Sequence, residues 1–162
     1  YSSLIYDFCR SRSLQSSDAA DVTQEILVRV AKAIRSFEYD RSKGLFRDWL
    51  ARIAINEIRR FATRRTNEIT SPVDLDEGSG SLESSWNERF QQYIFSKALE
   101  RSQPHFEAET WRMFERSWID KLPVEQVAAE LKTSIERIYV ARNRVLKRLR
   151  FEVAMLADDN LV

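Results

Sequence analysis

The sequence predicts an all-α protein with two small helical domains, a flexible acidic linker between them, and a helix-turn-helix in the second domain. Apolar residues recur with the period of a helix in both halves of the chain. Only three Gly and three Pro are spread over 162 residues, so few positions interrupt the helices. Residues 66–86, rich in Ser, Asp and Glu and containing Pro72, Gly78 and Gly80, cannot form a core. We therefore expect domains over residues 1–65 and 87–162 and a linker over residues 66–86.

Charge is unevenly distributed along the chain. The formal net charge is only +1, but residues 1–65 and 132–150 carry an excess of Lys and Arg. Residues 66–100 carry an excess of Asp and Glu. Two basic segments separated by an acidic one indicate two contacts with a polyanion and a connector that avoids it.

The composition argues against catalysis and against a metal site. The chain has one His, at position 105, one Cys, at position 9, and no Gly-rich phosphate loop, so we expect neither enzyme activity nor a cofactor. A lone Cys is typical of a reducing compartment. No apolar run approaches the ~20 residues of a membrane span. We expect a cytoplasmic protein that does not bind membranes.

The first third of the chain predicts a short helix and a long one. Residues 1–15 form the short helix, and Ser16, Ser17 and Asp18 can cap the next one. The buried stripe of the long helix is Ala19, Val22, Ile26, Leu27, Val30, Ile34 and Phe37. Its opposite side carries Asp21, Gln24, Glu25 and Val28. An isolated exposed Val is common, but acids around an apolar residue also suit a protein-docking face.

Residues 45–65 predict a half-buried helix with a polar ridge. The apolar side consists of Phe46, Trp49, Leu50, Ile53, Ala54, Ile58 and Phe61. The ridge consists of Asp48, Arg52, Asn56 and Arg59, and the basic end adds Arg60, Arg64 and Arg65. Arginines bind phosphates and an amide can pair with a base edge, so this helix fits a nucleic-acid reader. An ordinary amphipathic helix with a solvated charged face is the alternative.

The segment before this helix, residues 38–44, predicts a turn that ends at Gly44. It carries Tyr39, Arg41 and Lys43, and Arg47 follows closely. An aromatic ring among cations beside an Asn-bearing helix could hold an unstacked base. A solvated interhelical loop is the alternative.

From Trp86 onward the helical period returns, with two aromatic stripes that we interpret as core. The first is Phe90, Tyr93, Ile94 and Leu99, and the second is Phe106, Trp111, Phe114 and Trp118. The segment DKLPVEQVAAELKTSIERIYVARNRVLKRLR then predicts two helices joined by a short turn. Thr133 and Ser134 end that turn and can cap the second, basic helix. This pattern is a helix-turn-helix.

The block DAADVTQEILVRVAKAIRSFEYDRSKGLFRDWLARIAINEIRRFATRR resembles region 2 of the extracytoplasmic-function sigma factors of bacterial RNA polymerase. That family has a D-A-x-D-x-x-Q-E helix, a loop, and then F-x-x-W-L-x-x-I-A-x-N with a basic tail. The matching residues are Asp18, Ala19, Asp21, Gln24, Glu25, Phe46, Trp49, Leu50, Ile53, Ala54 and Asn56. The family also has a linker between its two domains.

The helix-turn-helix resembles region 4 of the same family, whose second helix reads the promoter's −35 element. The family usually has Gly where Lys132 stands. It usually has a basic or small residue at the positions of Tyr139 and Ala141, which we take to be exposed.

The residues and the resemblance together assign three sets of sites. Binding of the −10 element is assigned to Tyr39, Arg41, Lys43, Arg47, Arg52, Asn56, Arg59 and Arg60. Binding of the −35 element is assigned to Ser134, Arg137, Tyr139, Val140, Arg142, Arg144 and Lys147. Docking on core RNA polymerase is assigned to Asp21, Gln24, Glu25 and Val28.

The resemblance implies a sigma factor whose partners are core RNA polymerase and promoter DNA, and an anti-sigma factor is a further candidate. A stand-alone helix-turn-helix regulator would lack the block from Asp18 to Arg65. A sigma-like adaptor that binds only protein is the third alternative. Transcription with core polymerase would separate the three.

Overall fold

A computed structural model of the chain describes residues 1–37, 45–66 and 79–157. Within these residues every regular element is a helix, which confirms the all-α prediction. The described α-helices are α1 (Ser2–Arg10), α2 (Ser16–Ala33), α3 (Phe46–Thr66), α4 (Ser79–Ser102), α5 (Ala108–Phe114), α6 (Val124–Leu131) and α7 (Ile135–Ala157). Short 3-10 turns lie at Ile34–Ser36 and Gln103–His105, and a π-helical turn lies at Glu115–Ile119. In the part of the chain that is described, no helix combines the length and apolarity needed to cross a membrane.

The chain divides into two compact units, Tyr1–Tyr93 and Ile94–Val162. The boundary falls inside α4, so the expected end of the linker at residue 86 is wrong: residues 79–86 are helical. Leu82, Trp86 and Phe90 are all buried, and the Trp86 ring meets Phe8 edge-on at 5.1 Å. Their spacing of four residues forms one helical stripe, which outweighs the Ser-rich composition around it. The rest of the expected linker, residues 67–78, lies outside the described residues.

The core of unit 1 is built from α1, α2, α3 and the first part of α4. Two details of α2 differ from the prediction. Its N-cap is Gln15, and no side chain caps the helix, so the expected cap at Ser16, Ser17 and Asp18 is wrong. At its other end Ile34, which was expected in the buried stripe, is exposed, and the chain continues from there as a 3-10 turn.

Helix α3 is buried over a wider arc than its apolar pattern predicts. Phe46, Leu50, Ala54 and Ile58 are buried as expected, whereas Trp49, Ile53 and Phe61 are half-buried. Four more residues are also buried, namely Ala51, Ile55, Glu57 and Ala62. The ridge predicted on the opposite side is exposed at all four positions, Asp48, Arg52, Asn56 and Arg59.

In unit 2, α6 and α7 are joined by residues 132–134, and the turn closes without glycine. Lys132 adopts the left-handed conformation itself, with φ 51° and ψ 46°. Its N–H donates to the carbonyl of Ala129, and the N–H of Thr133 donates to the carbonyl of Ala128 at 3.0 Å. These two bonds form a Schellman motif. Ser134 Oγ then accepts the N–H of Arg137 at 3.3 Å and caps α7.

Two apolar clusters hold unit 2 together. One contains Ala98, Trp111, Phe114, Val145 and Leu149, and the other contains Met113, Val127, Ile138 and Ala141. Two expectations are wrong here. Ala141 is buried although it was expected to be exposed, and Trp118 is 42% exposed although it was expected in the core.

The misplacement of Trp118 has a local cause. The residue lies four positions after Phe114, a spacing that would put both rings on one face of an α-helix. The intervening turn, Glu115–Ile119, is π-helical. A π-turn holds more residues than an α-turn, so the side chain of Trp118 rotates away from the core and toward solvent.

Candidate nucleic-acid interface

The polar ridge of α3 faces a cavity of about 280 Å³ within unit 1. One wall consists of the ridge residues Asp48, Arg52, Asn56 and Arg59, and the other consists of Glu83, Trp86 and Asn87 of α4. Asn56 is exposed and presents a donor and an acceptor side by side. The cavity therefore offers carboxylates, amides and guanidinium groups next to an indole. Sequence reasoning missed the α4 wall because Trp86 was assigned to the end of the linker.

The loop predicted to hold a base, with Tyr39, Arg41 and Lys43, lies outside the described residues. The residues that flank it are in contact. Phe37 meets Phe46 edge-on at 5.7 Å and lies 4.7 Å from the Trp49 ring. Arg47 is half-buried, with its Nε 3.5 Å from a carboxylate oxygen of Asp48. An aromatic cluster thus brings the two ends of the loop together beside the ridge.

The basic end of α3 is paired with acids of α2 and with Glu57 of α3 itself. Glu57 has a side chain only 2% exposed. Its carboxylate lies 2.8 Å from Nε of Arg29 on α2 and 2.8 Å from Nη1 of Arg60 on α3. A search for apolar spacing does not find a buried acid of this kind, because its partner Arg29 lies on another helix.

Two further ion pairs link α2 to the basic end of α3. Arg64 lies 3.0 Å from Glu25, and Arg65 pairs with Asp18. Beside them, Arg29, Arg59, Arg60, Thr63 and Arg64 line an open cavity of about 530 Å³. Acids of α2 therefore offset part of the positive charge that the sequence of α3 concentrates in this region.

The four residues expected to dock on polymerase share one exposed surface of α2. Asp21, Gln24 and Glu25 are exposed, and the Val28 side chain is 51% exposed. Next to them, Asp18, Asp21, Val22, Glu25, Phe61, Arg64 and Arg65 line an open groove of about 470 Å³. An exposed apolar residue among acids, beside a groove, fits contact with another protein.

Comparison with known proteins bears on this half of the chain. Residues 1–68 match the family model of sigma-70 region 2. This part of the chain is therefore similar to region 2 of the sigma-70 proteins, a family that binds RNA polymerase and takes part in promoter recognition. The matched segment contains α1, α2 and α3, and with them the ridge and the α2 surface. No curated protein matched the chain.

In unit 2, α7 exposes most of the residues expected at the −35 element. Arg137, Tyr139, Val140, Arg144 and Lys147 are exposed. The Ser134 hydroxyl caps α7. The pKa of Glu136 lies below its usual value, first because of a hydrogen bond from its own backbone N–H and second because of one from the Ser134 hydroxyl. Arg137 lies 3.5 Å from Glu109.

Two residues near this surface were absent from the sequence-based set. Asn143 is exposed on α7, opposite the buried line of Ile138, Ala141 and Val145, and its amide could have been found by extending the helical wheel. Trp118 lies 5.0 Å from the guanidinium of Arg142. It was missed because the π-turn is not readable from apolar spacing.

The single cysteine of the chain, Cys9, is buried in unit 1. Burial raises the pKa of the Cys9 thiol to about 11, which keeps it protonated and unreactive near neutral pH. Among residues 1–37, 45–66 and 79–157, no cluster of His, Cys, Asp and Glu is arranged to hold a metal ion.

Proposed function

We propose that this protein is an extracytoplasmic-function sigma factor that binds core RNA polymerase and directs promoter-specific transcription initiation in the cytoplasm. In this proposal, unit 1 recognises and melts the −10 element, and the α6–α7 helix-turn-helix of unit 2 reads the −35 element. The observation that carries it is the exposed ridge of α3, with Asn56 at the edge of a polar cavity, inside the segment that matches sigma-70 region 2.

At the −10 element, Asn56 pairs with the edge of a base extruded from the duplex. The loop with Tyr39, Arg41 and Lys43 stacks on that base, while Arg47, Arg52, Arg59 and Arg60 meet the DNA backbone. Base stacking on an aromatic ring contributes ~1–3 kcal/mol. This offsets the few kcal/mol lost on unpairing a base, so melting proceeds without a fuel molecule.

Docking on core polymerase uses the α2 surface formed by Asp21, Gln24, Glu25 and Val28. Its support is physical: one half-exposed apolar side chain lies among acids and beside a groove. An apolar centre with a charged rim is the common composition of a protein interface. An anti-sigma factor is a candidate partner for the same surface.

At the −35 element, α7 enters the major groove of duplex DNA with its N-terminal half. Arg137, Tyr139 and Val140 approach base edges near the start of α7. Arg142, Arg144 and Lys147 lie farther along and meet phosphates, with Ser134 capping the helix at the groove. Phosphate contacts set the register, and base contacts carry the sequence information.

The experiment that tests this function is promoter opening by Asn56→Ala in complex with core polymerase. Asn56 is exposed, so the variant is expected to fold and to bind core normally. Permanganate footprinting should show fewer reactive thymines, because the amide that holds the extruded base is gone. A premelted bubble should restore only part of the loss.

Gln91→Ala is the matched control, because Gln91 is an exposed amide of unit 1 outside the cavity lining. It should open promoters like the wild type. Normal opening by a correctly folded Asn56→Ala protein would remove Asn56 from the mechanism. If the wild-type protein supports no initiation with core polymerase, the sigma-factor assignment itself is wrong.

A further inference from the structure

An exposed tryptophan in unit 2 stacks on an arginine of α7. The guanidinium carbon of Arg142 lies 5.0 Å from the centre of the Trp118 ring and 5.6 Å from the centre of the Tyr139 ring. Trp118 is 42% exposed and Tyr139 is 50% exposed. Two exposed aromatic rings on either side of one guanidinium form a small apolar patch, which is more informative than a single exposed apolar residue.

The π-helical turn that carries Trp118 is fixed to the rest of unit 2. Arg116 forms two hydrogen bonds of 3.0 Å with the carboxylate of Glu130 on α6 and one of 2.8 Å with Asp120. The bonds to Glu130, and then to Asp120, raise the pKa of Arg116. Ser117 Oγ also donates to the carbonyl of Met113 at 2.6 Å. The backbone on both sides of Trp118 is therefore held in place.

The stack restricts an otherwise flexible side chain. Arginine loses up to about 2 kcal/mol of rotamer entropy when it is immobilised. Two rings close to its guanidinium hold Arg142 before any ligand arrives, while the N–H edge can still donate hydrogen bonds. Arg142 is half-buried and lies at the side of α7, next to the buried residues Ile138 and Val145. This position suits the DNA backbone at the rim of the groove better than a base edge.

We propose that Trp118 is a positioning residue for DNA binding, which holds Arg142 against Tyr139 so that its guanidinium is ready to bind a backbone phosphate of the −35 duplex. The inference rests on the proposed function of α7 and adds to it a residue outside the helix-turn-helix. Trp118 acts through Arg142. Because phosphates carry no sequence information, it affects affinity and not base preference.

The test measures binding of fluorescent −35 duplexes by the full chain assembled with core polymerase. Trp118→Ala should weaken binding about twofold to fivefold, the size expected for the loss of an exposed cation–π contact, and equally on all −35 sequences. Trp118→Phe, which keeps a ring, should lose less. Arg142→Ala should weaken binding and also lower the salt slope by ~1. The double variant should bind like Arg142→Ala alone, because Trp118 has nothing left to position.

Phe151→Ala is the matched control. Phe151 is 54% exposed and stacks on Arg148 of the same helix at 5.3 Å, but it lies beyond the half of α7 assigned to DNA. It should bind DNA like the wild type, and circular dichroism should show the same helix content for every variant.

Any one of four outcomes overturns the inference. Wild-type binding by Trp118→Ala would show that the stack is not used, and additive losses in the double variant would show that Trp118 does not act through Arg142. A changed base preference in Trp118→Ala would make it a reading residue. If the wild-type complex does not bind the −35 element specifically, both the proposed role of α7 and this inference are wrong. If it does bind the element, the role of α7 stands and the variants test Trp118 alone.

Discussion

At the scale of single residues, Lys132 is an unusual choice for the position it occupies. It lies in the left-handed region with φ 51°, where a Cβ atom costs an L-residue roughly 1–2 kcal/mol. The Schellman bonds to Ala128 and Ala129 keep it there. The structure shows that the turn closes with Lys132, at the steric cost of its Cβ.

Lys132→Gly is therefore expected to raise the free energy of unfolding by about 0.5–1 kcal/mol, the relief of the Cβ less the greater entropy of Gly in the unfolded chain. Urea denaturation measures the change. Lys132→Ala is the control, because it removes the charge and keeps the Cβ. Equal stability of the Gly and Ala variants would mean that the steric cost of the Cβ at this position is no larger than the entropy that Gly adds to the unfolded chain.

At the scale of helices, α2 and α3 are joined by charge as well as by their apolar faces. Glu25 has two assignments as a result: it lies on the surface proposed to dock on polymerase, and it pairs with Arg64 at 3.0 Å. Both side chains are about half exposed, so this pair contributes at most about 1 kcal/mol to stability. A single substitution at Glu25 would therefore not distinguish the loss of polymerase contact from the loss of the ion pair with Arg64.

A charge swap separates them. Glu25→Lys should weaken binding to core polymerase. Adding Arg64→Glu restores an ion pair of opposite direction, but binding to polymerase should stay weak because the docking surface still has the wrong charge. Surface plasmon resonance with immobilised core polymerase measures the affinity. Asp21→Lys, on the same surface, should weaken binding to core to a similar extent. Recovery of affinity in the double variant would mean that Glu25 acts by holding Arg64.

At the scale of the whole molecule, the division into units decides which fragments are stable. Trp86 is fully buried and meets Phe8 in unit 1, so a fragment of residues 1–65 lacks part of its core. We expect a fragment of residues 1–93 to unfold cooperatively and a fragment of residues 1–65 to unfold without a cooperative transition. Trp86→Ala in the full chain should destabilise unit 1 by about 3–5 kcal/mol.

Thermal unfolding followed by circular dichroism measures both fragments. Glu83→Ala is the control substitution for Trp86→Ala, because Glu83 is exposed on the same helix and should leave the melting temperature almost unchanged. A cooperative transition in the fragment of residues 1–65 would show that unit 1 does not need α4 to complete its core.

Sequence reasoning recovers the features that depend on periodicity. The all-α class, the ridge with Asn56, and the exposed surface with Val28 all follow from the 3.6-residue repeat. It fails where a non-local contact or an irregular turn decides the outcome. Trp86 is buried by a helix distant in sequence, Trp118 is turned outward by a π-turn, and Glu57 is buried because Arg29 of another helix meets it.

The buried carboxylate of Glu57 also constrains how this surface can change during evolution. Losing Arg29 first would leave the buried acid of α3 with one partner fewer. Because both arginine partners are about half exposed, the cost lies below the roughly 3–5 kcal/mol of a fully buried pair. Losing Glu57 first leaves two arginines whose side chains are 49% and 58% exposed, and water can hydrate both. Substitution of Glu57 before Arg29 is therefore the less costly order. We expect a neutral residue at position 29 in homologues only where position 57 is also uncharged.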